Sequence, residues 1–156
     1  MKPITILSYN IGHLCLLQPW KHLYIGQEGQ VFFWHQDIPF IQSIVAKINP
    51  DIILLQELTS VQDAELLADK LGFKYFSYCQ VSHLKHQHLG TGILHNFPDA
   101  QVKTTKAAIS LHSLSRKDYL FTTVHLNPFS TKNRTEQTKS ITSYVQKNPK
   151  SKHIIG

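Results

Sequence analysis

Asn49-Pro50-Asp51-Ile52-Ile53-Leu54-Leu55-Gln56-Glu57 is the stretch that decides how the chain folds. Four aliphatic residues in a row follow an Asn-Pro-Asp turn and precede two polar residues. The run is too short for a buried helix and does not alternate as a half-exposed strand does. It predicts a strand buried on both faces, and such a strand needs other elements packed against both sides of its sheet. Gln56 and Glu57 then fall at the strand's carboxyl end, where α/β scaffolds gather functional groups.

The flanks supply those packing elements. Upstream, Ile41, Ile44, Val45 and Ile48 recur at i, i+3, i+4 and i+7, so the spacing predicts a helix over 37–48. Asp37 is placed to cap it, Pro39 suits its first turn, and Asn49-Pro50 stops it. Ile4–Ile11, apolar and rich in β-branched residues, predicts a first strand. The intervening Gly12–Gln30 has no period and carries Pro19, Gly26 and Gly29, a long loop of the kind that is often functional. Val31–Trp34 reads as a short strand or as the lead-in to the helix. Downstream, Ser60 with Asp63 resembles a capping box. Val61, Ala64, Leu67, Ala68 and Leu71 make the stripe of a second helix that Gly72 ends. Strands are predicted at Phe73–Val81, Gly90–Phe97, Ala107–Leu114 and Tyr119–Leu126, with a turn at Ser115–Asp118. A third helix follows over 131–146, with Arg134, Thr138, Ile141 and Val145 on one face, and a last apolar strand begins at His153. Strand, helix, strand, helix, several antiparallel strands, helix, strand is the order of a mixed α/β or α+β sandwich.

Composition narrows the function. A chain of 156 residues, 42% hydrophobic, suits one packed domain. It carries 16 Lys plus Arg against 10 Asp plus Glu, a net charge of +6, and this balance favours phosphate-bearing partners over acidic ones. Cys15 and Cys79 form no Cys-x-x-Cys pair, so neither a zinc nor a dithiol motif is present, and free thiols in a reducing compartment are expected. The opening apolar run stops at Ser8, too short for the core of a signal peptide, and nothing approaches the roughly 18 apolar residues of a membrane span. A soluble, cytoplasmic protein is the expectation.

Three predicted strands end on polar residues suited to phosphate chemistry: Leu7-Ser8-Tyr9-Asn10, Leu54-Leu55-Gln56-Glu57, and Thr123-Val124-His125-Leu126-Asn127. Each has an ordinary structural alternative. Asn10 closes a turn with its amide, Glu57 is the solvated end of a strand, or His125 is a half-buried histidine with satisfied nitrogens. Their recurrence at the same kind of position is what links them.

Four blocks in order resemble the endonuclease/exonuclease/phosphatase superfamily: Ile-Leu-Ser-Tyr-Asn-Ile at 6–11, Pro-Asp-Ile-Ile-Leu-Leu-Gln-Glu at 50–57, Gly-Thr-Gly-Ile-Leu-His-Asn-Phe-Pro at 90–98, and Thr-Val-His-Leu-Asn at 123–127 followed by Asn-Arg-Thr-Glu-Gln at 133–137. Leu-Leu-Gln-Glu is the most specific of them, and the resemblance runs over nearly the whole chain. It implies an α/β sandwich of two mixed sheets packed between helices, in one domain over 1–156. It also implies metal-dependent hydrolysis of phosphoester bonds, with Mg2+ as the cofactor and Mn2+ as its alternative. Glu57 matches the family's metal-binding glutamate, and Asn10 the asparagine beside that metal. His125 matches the histidine that contacts the scissile phosphate. Arg134 and Gln137 match a weaker Arg-x-x-Gln pattern, so Arg134 is a substrate-binding candidate whose alternative is packing beneath the site. Asn127 is a second substrate-binding candidate, as a loop-shaping polar residue.

Two departures stand out. Relatives usually show Ser-Arg where this chain has His95-Asn96, so a phosphate-proximal arginine is expected to be missing. The family's Ile-Ile-Gly strand continues into Asp-x-Asn, with an Asp-His pair much later, whereas this chain reaches Gly156. The site and the fold are therefore expected to be incomplete at the C-terminus, with sheet edges exposed to self-association. Nucleic acid is the favoured substrate class on charge, a lipid or small phosphoester the next. The reading from another class is a non-catalytic remnant of the fold that binds phosphate ligands or a protein. His83, His86 and His88 match no zinc spacing and are expected in a solvated loop. Trp20, Phe32, Phe33 and Trp34 are expected to pack rather than to stack on bases.

Overall fold

In the computed structural model the described residues are 3–11, 38–58, 60–80, 90–106, 110–116, 119–124 and 131–156, with 103–106 and 110–116 described for their backbone. β1 (Ile6–Asn10), β2 (Ile52–Leu58), β3 (Tyr75–Gln80) and β4 (Gly90–His95) form one sheet in the order β1-β2-β4-β3. β5 (Gln101–Lys106), β6 (Ser110–Arg116), β7 (Tyr119–Thr123) and β8 (Lys152–Ile155) form a second in the order β5-β6-β7-β8. Each sheet is mixed: β1 lies parallel to β2 and β7 parallel to β8, and the other pairs are antiparallel. The helices are α1 (Ile38–Ile48), α2 (Val61–Leu71) and α3 (Thr131–Gln146). Among the described residues no helix is long and apolar enough to cross a membrane.

The 52–55 run is buried on both faces, as its composition requires. Ile53 and Leu55 pack under α1 and α2 with Ile38, Ile41, Val45, Ala64, Leu67 and Ala68. Ile52 and Leu54 point the other way and join Ile93 and Phe121 between the two sheets. One strand thus serves two cores, and the result is a helix–sheet–sheet stack. α3 lies in the connection from β7 to its parallel neighbour β8.

Local chemistry sets the helix ends. Asn49 takes a left-handed conformation (φ 50°) after α1, and its N–H donates to Val45 O at 2.7 Å. Ser60 caps α2 by accepting from the Asp63 N–H at 3.1 Å. Gly72 closes it at φ 76°, a conformation that glycine adopts without a Cβ clash.

The outcome departs from expectation in several places. α1 turns Ile38, Ile41 and Val45 inward and leaves Ile48 exposed, and α2 leaves Val61 exposed. Both residues sit at helix ends, beyond the reach of the sheet. β5 was not expected; of its residues only Val102 is apolar, and it is exposed, so hydrophobic periodicity is silent there and the backbone ladder to β6 holds the strand. β6 runs through Ser115 and Arg116, where the sequence predicts a turn, because Arg116 still pairs with Tyr119. On α3 the expected Thr138 is exposed while Gln137 is buried to 1%. A polar residue at the inward position hides that face from an apolar pattern. Asp37, Gly12–Gln30, Val31–Trp34 and Ala107–Ile109 lie outside the described residues, as do Cys15 and the histidines at 83, 86 and 88. Cys79 is a half-buried free thiol.

Candidate functional site

Asn10 is the last residue of β1 and pairs with Gln56 of β2. The two strands are parallel, so their carboxyl ends reach the same rim of the sheet. A regular strand would then send Glu57 to the face of Leu55, beneath the helices. Instead the pairing with β4 slips between Gln56↔Thr91 and Leu58↔Gly90, leaving Glu57 as an extra residue in a β-bulge. Glu57 adopts φ 63°, a left-handed conformation rare for a residue with a side chain. Leu58 is returned to the helix-facing core, against Gly92, where any Cβ would collide with it. The Glu57 carboxylate is delivered to the rim, where Oε1 accepts from Asn10 Nδ2 at 3.1 Å. Asn10 is exposed and Glu57 half-buried, so water reaches the pair.

The second sheet meets this rim through Gln56. Its amide is buried and donates from Nε2 to Thr123 Oγ1 at 2.9 Å, with longer contacts to Leu54 O (3.3 Å) and Ser8 Oγ (3.4 Å). Thr123 Oγ1 in turn donates to Leu55 O at 3.1 Å. The end of β7 therefore abuts the end of β2. Val124 continues along β8, donating to Gly156 O at 2.8 Å.

Of the residues singled out in the sequence, Asn10 and Glu57 meet. Arg134 donates to Thr131 Oγ1 at 2.9 Å within the first turn of α3, and Gln137 is buried one turn later. His125 and Asn127, just beyond Val124, lie outside the described residues. Sequence reasoning passed over Gln56 and Thr123 as site residues. The available sign was a glutamine on the same strand face as Ile52 and Leu54, where an apolar residue would be cheaper to bury.

His95 belongs elsewhere. It pairs with Ile52, at the end of β2 opposite Glu57, and its ring stacks between Tyr75 (5.3 Å between centroids) and Phe97 (6.2 Å). Burial holds its pKa below the usual 6.5, against a smaller upward contribution from the Phe97 backbone, and Nδ1 lies 3.2 Å from Phe97 N as its acceptor. Asn96 accepts from Lys74 N–H at 2.8 Å. The His95-Asn96 departure therefore lies at the far rim, and an arginine is not lost from beside Glu57.

Mg2+ takes oxygen donors, accepts as few as one or two carboxylates, and keeps several waters. A half-buried carboxylate and an exposed amide at an open rim fit that donor set. Among the described residues no group of three or more His, Cys, Asp or Glu is gathered to hold a metal, so the described part of the site offers one carboxylate and one amide.

No protein-family model and no curated protein matches this sequence. Solved structures do. An endonuclease/exonuclease/phosphatase family protein of Bacteroides thetaiotaomicron superposes with a TM-score of 0.63 at 16% identity, over 97% of this chain and 61% of that one. The chain has the endonuclease/exonuclease/phosphatase fold. The same fold is seen in a mannosyl-6-phosphatase of B. thetaiotaomicron (TM-score 0.62, 16% identity, 98% of this chain and 64% of that one). It is also seen in D. rerio TDP2 complexed with a single-strand DNA product (TM-score 0.56, 18% identity, 97% and 58%). The chain thus spans about three-fifths of the length of these structures. Within the endonuclease/exonuclease/phosphatase fold, Asn10 and Glu57 stand at the carboxyl ends of neighbouring parallel strands, a usual place for ligands in α/β sheets.

Proposed function

We propose that the chain carries the metal-holding part of a phosphoester hydrolase site, with a phosphodiester of nucleic acid as the favoured substrate. The observation that supports it best is the Asn10–Glu57 contact at 3.1 Å, made by a bulge that holds Glu57 in a left-handed conformation. Such strain survives where surrounding structure over-determines it and is concentrated at functional sites. The net charge of +6 favours a polyanion, and the structure of D. rerio TDP2 complexed with a single-strand DNA product supports that reading.

Glu57 would hold Mg2+, or Mn2+ in its place, through its carboxylate, with Asn10 orienting that carboxylate through its amide. The bound ion would polarise a phosphoryl oxygen and neutralise charge that grows during in-line attack by water. His125, two residues past the β7 end that Gln56 holds, would donate to the phosphoryl oxygens. Arg134 and Asn127 are the substrate-side candidates. The test is hydrolysis of bis(p-nitrophenyl) phosphate with Mg2+, alongside Mn2+ titration followed by electron paramagnetic resonance. Glu57→Ala is expected to lose both Mn2+ binding and Mg2+-dependent turnover. Equal binding and equal rates in parent and variant would remove Glu57 from the site. A second reading, a non-catalytic phosphate-binding remnant, is favoured by the sparse donor set at the rim, where the described residues gather one carboxylate and one amide. It predicts Mn2+ and phosphate binding without turnover.

A further inference from the structure

Gln56 is the one residue on the inter-sheet face of β2 whose side chain is not a hydrocarbon, and it stands directly before the strained Glu57. Ile52 and Leu54, on the same face, are sealed with Ile93 and Phe121. Gln56 is only 7% exposed, and Thr123 is fully buried. Burying an amide and a hydroxyl among hydrocarbons is unfavourable by about 1 to 3 kcal/mol per group unless they are hydrogen-bonded, so an apolar pair would hold the sheets together at least as well. What the polar pair adds is direction. Gln56 Nε2 donates to Thr123 Oγ1, whose own proton goes to Leu55 O. On the other side Nε2 reaches Ser8 Oγ of β1 at 3.4 Å, while the Gln56 backbone carbonyl accepts the N–H of Ile11 at 3.0 Å, immediately after Asn10. One residue therefore fastens the ends of β1, β2 and β7. Buried, directional hydrogen bonds of this kind favour a single arrangement of their neighbours.

We propose that Gln56 is a positioning residue of the site: the Gln56–Thr123 clasp fixes the Glu57 bulge relative to Asn10 and to the end of β7. The proposal rests on the metal-holding role given above to Glu57. Polar groups that orient metal ligands are typically worth about 10- to 100-fold in affinity, which sets the effect to look for.

The experiment uses the whole chain. Mn2+ affinity is measured by electron paramagnetic resonance and global stability by urea unfolding, in the parent and in Gln56→Leu, Thr123→Val, Thr123→Ser and Glu57→Ala. Gln56→Leu and Thr123→Val are expected to keep or raise the urea midpoint and to weaken Mn2+ binding about 10-fold. Thr123→Ser retains the hydroxyl and is expected to bind as the parent does, which a loss of bulk alone would not reproduce. The double variant Gln56→Leu/Thr123→Val is expected to bind no more weakly than either single one, because both remove the same clasp. Should Gln56→Leu fail to fold, the contrast of Thr123→Val with Thr123→Ser carries the test. Parent-like Mn2+ affinity in Thr123→Val, or equal affinities in Thr123→Val and Thr123→Ser, overturns the clasp while Glu57→Ala still reports on the metal site. A parent that binds Mn2+ no better than Glu57→Ala overturns the metal-holding role, and the clasp's role with it.

Discussion

Glu57 is a strained residue, and its conformation brings its carboxylate to Asn10. A left-handed conformation costs a residue that bears a Cβ roughly 1 to 3 kcal/mol, and glycine avoids most of that. Glu57→Gly is therefore expected to raise unfolding free energy by about 1 kcal/mol in urea titrations while abolishing Mn2+ binding. A less stable Glu57→Gly would mean that the carboxylate's contacts, not function, keep glutamate there. His95 makes the complementary point at the far rim. Its pKa is depressed by burial between Tyr75 and Phe97, so the folded chain resists the proton that the unfolded chain accepts near pH 6.5. The unfolded state binds more protons as pH falls through 6.5 toward the lowered value, and stability drops in that window while being fully present above it. Urea midpoints at pH 7.5 and 5.5 are expected to differ in the parent, and the difference is expected to shrink in His95→Phe.

At the scale of elements, helix placement follows from caps and stripes that are local in sequence. The Ser60 hydroxyl accepts the Asp63 N–H, and Gly72 N–H closes α2 onto Asp69 O at 3.3 Å. Ser60→Ala is expected to cost about 1 kcal/mol, read as a lowered urea midpoint. A shift near zero would show that sheet packing through Ala64, Leu67 and Ala68 sets the helix start unaided. The elements that sequence reasoning missed or misjudged share one cause. β5 has a single apolar residue, and α3 buries a glutamine, so their inward faces are set by backbone pairing and by neighbours distant in sequence.

For the molecule as a whole, the decisive feature is that β2 is shared between two cores. Phe121 is fully buried against Ile52, Leu54 and Ile93, and it is the largest side chain in the inter-sheet cluster. Phe121→Ala is expected to cost about 3 to 5 kcal/mol and to broaden or abolish the cooperative urea transition. A loss under about 1 kcal/mol would mean that the sheets are joined chiefly elsewhere. The Asn49–Glu57 segment disclosed β2, its double burial and its polar end, because those depend on residue type within nine positions. It also placed Glu57 at a strand end, as the Ile4–Ile11 run placed Asn10. The bulge that turns Glu57 from the helix face to Asn10, and the clasp by which Gln56 reaches a threonine 67 positions away, were decided only by the tertiary structure. A bulge depends on the register of β2 against β4, and a buried hydrogen bond depends on a partner from another sheet. Neither register nor partner is a property of a local stretch of chain.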